Sequence, residues 1–198
     1  MKKKIFIVLL AVLLIVTGCS SSKKEKKESD KLMKGTHHVE INVKNYGTIK
    51  VELYADKAPI TVTNFVKLVK KGFYNGLTFH RIIKDFMIQG GDPNGDGTGG
   101  ADETITGEFT ENGIDNDISH VRGVISMARS QDMNSASSQF FIVQKDSTYL
   151  DGSYAAFGKV TDGMDVVDKI CDTVTPTDNN GTVSKDKQPV IESIKFTD

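Results

Sequence analysis

One arginine, two bulky apolar residues and one glutamine fall close together near the middle of the chain. They are Arg81, Phe86, Met87 and Gln89, in a segment that reads as a strand, a short break and a second strand. Because side chains on paired strands can face the same side of a sheet, the guanidinium is expected to lie beside an apolar floor. The segment has no evident nucleophile. Such a site suits chemistry by desolvation and hydrogen bonding rather than by covalent attack.

The apolar patterns of the chain predict the elements that position these residues. Alternating segments at 38–44 and 48–53, separated by a Gly-containing turn, are typical of a β-hairpin. Further strands are predicted at 77–83, 86–90, 121–128, 139–144, 155–160 and 189–196. Helices are predicted after Pro59 and over 163–171, and an Asp-, Asn- and Thr-rich loop over 172–188. This pattern predicts a mainly β fold: an eight-stranded antiparallel closed barrel capped by two helices.

The N-terminus predicts an export signal and a lipid anchor. Three lysines precede twelve apolar residues at 5–16, a run shorter than the ~20 residues of a spanning helix. Val16-Thr17-Gly18-Cys19 resembles the lipobox of bacterial lipoproteins, in which the cysteine thiol is acylated and the signal is cut before it. Residues 1–18 are therefore expected to be removed, and Cys19 to become the lipidated first residue. A plain secretory signal with an incidental cysteine is the alternative.

Residues 19–34 read as a charged tether, and 35–198 as one domain. The tether is rich in Ser, Lys and Glu without apolar periodicity. A soluble spacer is the expected role, and contact of its lysines with anionic headgroups is the alternative. The whole chain carries −1, whereas signal and tether each carry +3, so residues 35–198 carry −7. This acidity argues against a nucleic-acid partner. Cys171, the only other cysteine, is expected in the core.

Two patterns that could suggest a metal ion do not support one. Residues 92–103 match the EF-hand calcium loop, but the flanking segments look extended rather than helical. Gly99 also stands where such loops usually have a branched apolar residue, so a Gly-rich surface loop is predicted. The adjacent His37 and His38 would point to opposite faces of a strand and could not hold one ion together. Neither a metal nor a cofactor is expected.

Motifs spread along the domain together resemble the cyclophilins. In chain order they are Phe-His-Arg-Ile-Ile at 79–83, Phe-Met-Ile-Gln-Gly-Gly-Asp at 86–92, Gly-Thr-Gly-Gly at 97–100, Gly-Val-Ile-Ser-Met-Ala at 123–128, Ser-Gln-Phe-Phe-Ile at 138–142, Tyr-Leu-Asp-Gly at 149–152 and Phe-Gly at 157–158. The resemblance covers roughly residues 38 to 197. It implies a peptidyl-prolyl cis/trans isomerase that works without a cofactor. The alternative is an unrelated barrel with chance similarity.

The resemblance also implies roles for single residues. Arg81 would be the principal catalytic residue, donating hydrogen bonds near the prolyl nitrogen and carbonyl in the twisted state. Gln89 would position Arg81 and the substrate carbonyl. The proline pocket would consist of Phe86, Met87, Phe141 and Leu150, and the peptide groove would include Ala128, Arg129, Gln139, Tyr149 and Tyr154. The alternative for the apolar members is ordinary core packing.

Several positions depart from the family pattern. Tyr149 stands where many eukaryotic members have the tryptophan that contacts cyclosporin, so weaker drug binding is expected. Tyr154 stands where many have histidine, and Lys84-Asp85 replaces a Pro-Gly turn. Arg129 replaces a common asparagine, in a loop at 129–138 that is one residue longer. These departures concern peptide preference more than activity.

The sequence therefore predicts a lipid-anchored isomerase that assists the folding of exported proteins at the outer face of the bacterial cytoplasmic membrane. Its substrates would be proline-containing unfolded or exported polypeptides, and family analogy implies a monomer. A proline-peptide-binding chaperone module with little turnover is one alternative. A solute-capturing transport lipoprotein is another, but such proteins are usually larger and two-lobed.

Overall fold

A computed structural model describes residues 31–198. The predicted signal, Cys19 and nearly all of the tether lie outside these residues. The strands are β1 (Thr36–Val43), β2 (Gly47–Tyr54), β3 (Thr78–Ile83), β4 (Met87–Asp92), β5 (Val124–Met127), β6 (Phe140–Val143), β7 (Ala156–Asp162) and β8 (Ile191–Phe196), and the α-helices are α1 (Pro59–Lys70) and α2 (Met164–Thr173). Three single-turn 3₁₀ helices lie at Thr110–Asn112, Thr148–Leu150 and Lys185–Lys187. The described residues contain no helix with the length and hydrophobicity of a membrane span.

The eight strands form one antiparallel sheet that curls into an incompletely closed barrel. Their order is β3-β4-β6-β5-β7-β2-β1-β8. The two end strands meet near an isolated bridge between Thr78 and Val190, with hydrogen bonds from Phe79 N to Pro189 O (2.9 Å) and from Ile191 N to Leu77 O (2.8 Å). The predicted mainly β, eight-stranded antiparallel fold with two helices is confirmed. The barrel is slightly less closed than predicted, because only this short junction joins its ends.

Helix α1 closes one side of the core. Pro59 occupies its first turn, where a missing N–H is tolerated. The buried carboxylate of Glu108 accepts hydrogen bonds from the backbone N–H of Ile60 (2.9 Å) and Thr61 (2.7 Å). These contacts satisfy two of the donors that a helix start leaves open. The helix buries Phe65, whose ring packs edge-on against another core ring, that of Phe140 in β6.

Helix α2 packs an apolar face that contains Cys171. It buries Val166, Val167, Ile170 and Cys171. Burial, followed by the nearby carboxylates of Asp168 and Asp172, raises the pKa of the Cys171 thiol to about 12. The thiol is therefore un-ionised at neutral pH and serves as a small apolar side chain.

Four adjacent strands separate the main core from a second apolar cluster. Isoleucines paired across β3, β4, β6 and β5 face the main core: Ile82, Ile88, Ile142 and Ile125. The second cluster contains buried Met87, Val124, Phe141, Val143 and Ala156. Partly buried Phe86, Ala128, Leu150 and Tyr154 pack against this second cluster. Because strand residues alternate between faces, one set of strands builds both the core and an apolar surface.

The carboxylate of Asp92 organises the first half of the loop at 92–103. Asp92 Oδ1 accepts a hydrogen bond from Asn94 N (2.8 Å), and Oδ2 accepts from Asp96 N (3.0 Å) and Gly97 N (2.6 Å). Asp92 is thus bonded to the backbone of its own turn. Across residues 31–198, no group of three or more His, Cys, Asp or Glu side chains is arranged to hold a metal ion.

Candidate active site

Strand register places Arg81 and Gln89 in one row with Phe141 and Ser126 across four strands. Arg81 of β3 pairs with Gln89 of β4, Gln89 pairs with Phe141 of β6, and Phe141 pairs with Ser126 of β5. Paired residues in adjacent strands share a face of the sheet. The row therefore lies on the face opposite the isoleucines, and brings Arg81 and Gln89 beside the second apolar cluster.

A chain of hydrogen bonds fixes the orientation of the glutamine amides. Gln139 Nε2 donates to the carbonyl oxygens of Gly97 (3.1 Å) and Gly99 (2.7 Å), and its Oε1 accepts from Gln89 Nε2 (2.9 Å). Gln89 Oε1 is then left to accept from Arg81 Nη1 at 3.2 Å. Two backbone carbonyls thereby decide which end of Gln89 faces the guanidinium.

The guanidinium of Arg81 is also held from its other side, by a residue that the sequence did not suggest. Arg81 Nε donates to the carbonyl oxygen of Asn180 at 2.8 Å, and Nη2 approaches Asn180 Oδ1 at 3.4 Å. Nη1 also faces the sulfur of Met87 at 3.8 Å. Of the five guanidinium N–H groups, one is left without a partner among residues 31–198. Burial lowers the pKa of Arg81. The side chain is nevertheless charged at neutral pH, because the ordinary pKa of arginine is very high.

Most of the predicted site residues surround a single cavity of about 150 Å³. It is lined by Arg81, Phe86, Met87, Gln89, Ala128, Arg129, Phe141, Leu150 and Tyr154. The ring of Tyr154 packs edge-on to that of Phe141, with centroids 5.9 Å apart. The structure therefore brings together the catalytic candidate and eight of the ten substrate-binding candidates. A largely apolar cavity with the charged donor Arg81 at its edge can desolvate a small ring and orient a neighbouring amide.

A second, more polar cavity of about 230 Å³ adjoins the first. Gln139, which does not line the first cavity, lines this one together with Gln89, Ala128 and Arg129. Thr98, Ser130, Ser135 and Ser137 add hydroxyl groups to its wall. The two cavities share Gln89, Ala128 and Arg129, so they form one continuous groove.

Arg129 lines both cavities, and its side chain is held by several contacts. Its Nε and Nη2 donate to the carbonyl oxygen of Ser153 at 3.0 and 2.9 Å, and Nη1 donates to Ser130 O at 2.9 Å. The guanidinium carbon lies 4.8 Å from the ring centre of Tyr154 and 5.1 Å from that of Phe109. A shorter asparagine side chain could not span these partners, so Arg129 gives this groove a larger and more rigid wall.

Comparison with known proteins identifies the family. The family model described as cyclophilin type peptidyl-prolyl cis-trans isomerase/CLD matches residues 38–196. This chain is a cyclophilin. A peptidyl-prolyl cis-trans isomerase of Acinetobacter baylyi is 47% identical over 138 residues, which cover 67% of this chain and 71% of that protein. The predicted family and enzyme class, peptidyl-prolyl cis-trans isomerase, are thereby confirmed.

Further relatives show how far the similarity extends. Peptidyl-prolyl cis-trans isomerase-like 2 of Rhizopus delemar is 49% identical over 130 residues, which cover 65% of this chain and 24% of that longer protein. The crystal structure of a Cryptosporidium parvum cyclophilin in the presence of the dipeptide Ala-Pro has a TM-score of 0.71 and 32% identity. That alignment covers 81% of this chain and 99% of the other.

Tyr149 is the one predicted substrate-binding residue that lines neither cavity of this cyclophilin. Its side chain is 72% exposed, and its ring centre lies 6.0 Å from that of Phe86. The single 3₁₀ turn Thr148–Leu150 explains this position, because it directs Leu150 into the cavity and Tyr149 outward. Tyr149 can contact a ligand that extends beyond the cavity rim.

A buried histidine behind the cavity is a second residue that the sequence did not suggest. The ring of His120 stacks on Phe141, with centroids 6.0 Å apart and planes at 16°. Its Nδ1 lies 2.8 Å from Asp151 Oδ1 and its Nε2 lies 3.0 Å from Ser126 Oγ. Burial lowers the pKa of His120, although Asp151 opposes the shift. The neutral ring thus donates to Asp151, accepts from Ser126 and supports the cavity floor.

Proposed function

We propose that this cyclophilin accelerates rotation about X–Pro peptide bonds through stabilisation of the twisted amide by Arg81. Rotation is slow because the nitrogen lone pair is delocalised into the carbonyl, which gives a barrier of ~18–20 kcal/mol. The cis and trans X–Pro isomers differ by only about 0.5–1 kcal/mol. A catalyst must therefore stabilise the twisted state selectively, and it needs no covalent bond to the substrate.

The observation that carries this proposal is the fixed guanidinium at the edge of an apolar cavity. Phe86, Met87, Phe141 and Leu150 would receive the proline ring and remove the adjacent amide from water. As the amide twists, its nitrogen becomes pyramidal and regains a lone pair that can accept a hydrogen bond. In this proposal, the N–H of Arg81 that has no partner among residues 31–198 would donate to that lone pair. A donor held in place before the reaction stabilises such a state without reorganisation.

Proline-containing polypeptides are the substrates that this arrangement fits. The related Cryptosporidium parvum cyclophilin was crystallised in the presence of the dipeptide Ala-Pro, which supports this class of ligand. The continuous groove lined by Gln89, Ala128, Arg129 and Gln139 would hold the chain on one side of the proline. We propose, as family analogy implies, that the protein acts on such segments as a monomer.

Substitution of Arg81 tests the proposed mechanism. In a protease-coupled isomerisation assay, we expect Arg81→Ala to lower kcat/KM about 100- to 1,000-fold, the effect of removing one preorganised donor. Arg122→Ala is the matched control, because Arg122 is bonded to Asp168 and lines neither cavity of the site. Equal rates for wild type and Arg81→Ala would remove the mechanism. Absence of turnover in the wild type would instead favour a module that only binds proline-containing segments.

We also infer that the enzyme is anchored by a lipid on Cys19 and acts outside the cytoplasmic membrane. The support is the sequence of residues 1–19, with its basic start, its short apolar run and its lipobox-like end. Two acyl chains on Cys19 would give stable membrane attachment. Residues 20–34 would then act as a tether, and exported polypeptides that fold near the membrane would be the substrates.

Replacement of Cys19 tests the anchor. We expect the wild-type protein to fractionate with membranes, and mass spectrometry to find a diacylglyceryl group on an N-terminal Cys19. Cys19→Ala should lack this group and keep its uncut signal, while Ser20→Ala should behave as the wild type. An unmodified mature N-terminus in the wild type would contradict the anchor and leave a plain secretory signal.

A further inference from the structure

The loop between α2 and the last 3₁₀ helix packs against the free edge of β3. Ile82 N donates to Gly181 O (2.8 Å), and Val183 N donates to His80 O (2.9 Å). These bonds bracket Arg81, which also forms an isolated bridge with Thr182. The backbone on both sides of the catalytic candidate is therefore fixed by this loop.

The turn at 178–181 within this loop has internal restraints of its own. Gly181 N donates to Asp178 O (3.2 Å), and Thr182 N donates to Asp178 Oδ1 (3.0 Å). Gly181 has a φ of +85°, and a Cβ atom there would lie 2.6 Å from Ile82 O. Only glycine allows this backbone conformation together with so close an approach to β3. The turn thus holds residue 180 at a defined position beside the sheet.

Asn180 occupies that position and contacts the guanidinium on the side opposite Gln89. Arg81 Nε is 2.8 Å from Asn180 O, and Arg81 Nη2 is 3.4 Å from Asn180 Oδ1. The bond to Gln89 at 3.2 Å holds only one end of the guanidinium. A planar group that is bonded at one end can still rotate, whereas bonds at Nε and at Nη1 fix its plane.

We propose that Asn180, carried by the turn at 178–181, is a positioning residue that holds Arg81 in its productive orientation. This inference rests on the proposed function, in which Arg81 donates to the twisted amide. Asn180 itself lines neither cavity, so it acts only through Arg81. Loss of the Asn180 contacts lowers kcat more than it raises KM, because the apolar cavity that would bind proline stays intact.

Three variants of the turn test the proposal by activity. Gly181→Ala displaces the backbone carbonyl of residue 180, and we expect a kcat about 10-fold lower. Asn180→Ala removes only the longer contact to Oδ1, and we expect its kcat to be about 2- to 3-fold lower. Asn180→Asp keeps an oxygen acceptor at this position and should therefore restore kcat. Asn179→Ala is the matched control, because Asn179 is the neighbouring asparagine in the same turn and forms no hydrogen bond with Arg81. Thermal unfolding identifies any loss that comes from reduced stability.

A spectroscopic measurement separates positioning from a general structural effect. The Nε–H of Arg81 should give a slowly exchanging NMR signal in the wild type and in Asn179→Ala, and a fast-exchanging one in Gly181→Ala. In the Arg81→Ala background, Asn180→Ala and Gly181→Ala should cause no further loss of kcat. If they lower kcat equally in both backgrounds, or if the Nε–H stays protected in Gly181→Ala, the positioning role is wrong. If Arg81→Ala alone leaves the activity unchanged, the proposed function fails instead.

Discussion

Arg81 depends on side chains and backbone from several distant segments. Gln89 comes from the next strand, Gln139 from the position just before β6, and Asn180 from a loop near the C-terminus. Each contributes an oxygen or an amide that restrains the next group. A single flexible arginine side chain is thereby held in one orientation before any substrate binds, and this preorganisation is what electrostatic catalysis requires.

Site residues in alternating strand segments were predictable from the sequence, whereas site residues outside such segments were not. Arg81 and Gln89 were predicted to share a face, and their pairing in β3 and β4 places them there. For Asn180 the sequence predicts only a loop, since no periodicity connects it to Arg81. His120 lies just before β5, and only the folded chain brings it to Asp151. The catalytic and binding roles themselves remain predictions until the variants are measured.

Tyr149 offers a prediction about inhibitor binding. Because its side chain is exposed at the rim and outside both cavities, we expect Tyr149→Trp to tighten cyclosporin binding by about 10-fold or more through added aromatic contact area. The kcat/KM for a short proline peptide should change less than about 2-fold. Titration of the inhibitor against wild type and Tyr149→Trp measures the effect. Equal inhibition constants would show that residue 149 does not limit drug affinity.

At the level of elements, β4 joins the site to the core. Ile88 faces the main core while its neighbours Met87 and Gln89 face the site. The strand lies between β3 and β6, so it aligns Arg81 with Phe141. Any distortion of β4 would therefore alter the distance between the donor and the apolar floor.

Gly91 is the position in β4 where added volume should have the largest effect. It has a φ of +84°, and a Cβ atom there would lie 2.6 Å from Ser138 O and 3.1 Å from the rings of Phe140 and Tyr74. We expect Gly91→Ala to lower the free energy of unfolding by roughly 2–4 kcal/mol, from backbone strain and overpacking together. Urea-induced unfolding measures this difference.

Gly113→Ala is the control for backbone strain alone. Gly113 has a φ of +78°, but a Cβ atom added there would meet no other described atom within 4 Å beyond its chain neighbours. Its substitution should therefore cost about 1 kcal/mol. If Gly91→Ala and Gly113→Ala lower the free energy of unfolding equally, the close contacts at Gly91 do not contribute to the effect.

The positions of the strands were predictable because apolar and polar residues alternate clearly along them. The exact ends of the strands were not predictable. The segment predicted as a strand over 121–128 is a strand only over Val124–Met127. Val121 N bonds to Ser119 O at 2.8 Å, and Gly123 adopts a φ of +91°, so a turn replaces the first residues. In the β3–β4 turn, Asp85 adopts a φ of +63°, a conformation that the glycine of a Pro-Gly turn would favour.

At the scale of the whole molecule, two buried histidines link folding to pH. His80 is 3% exposed, and neither of its ring nitrogens has a hydrogen-bond partner in the described structure. Burial lowers its pKa, with Arg81 acting in the same direction and Asp92 and Asp96 opposing. Burial also lowers the pKa of His120. The unfolded chain therefore binds protons on these histidines more readily than the folded domain.

Acidification should consequently destabilise the domain through its histidines. A histidine with a depressed folded pKa contributes stability above its unfolded pKa of about 6.5, and this stability is lost as the pH falls toward the folded value. We expect the free energy of unfolding to decrease from about pH 7 to about pH 5, by up to ~1.4 kcal/mol per pH unit for each proton taken up. Urea-induced unfolding across this range measures the slope.

His80→Gln should flatten that slope, since the substitution removes a titrating group that has no hydrogen bond to lose among the described residues. The carboxylates with lowered pKa, such as Asp151 and Asp168, titrate at lower pH and should not mask the difference. An unchanged slope in His80→Gln would show that His80 does not couple protonation to folding.

In the proposed mechanism, Arg81 promotes rotation, whereas the apolar cavity binds the proline. Magnetisation exchange between the cis and trans signals of an Ala-Pro peptide measures rotation directly, without a protease. We expect rapid exchange with wild type and with Arg122→Ala. With Arg81→Ala, the peptide signals should still shift on binding. Exchange between the cis and trans signals should be about 100-fold slower than with wild type. Exchange as fast with Arg81→Ala as with wild type would contradict the account.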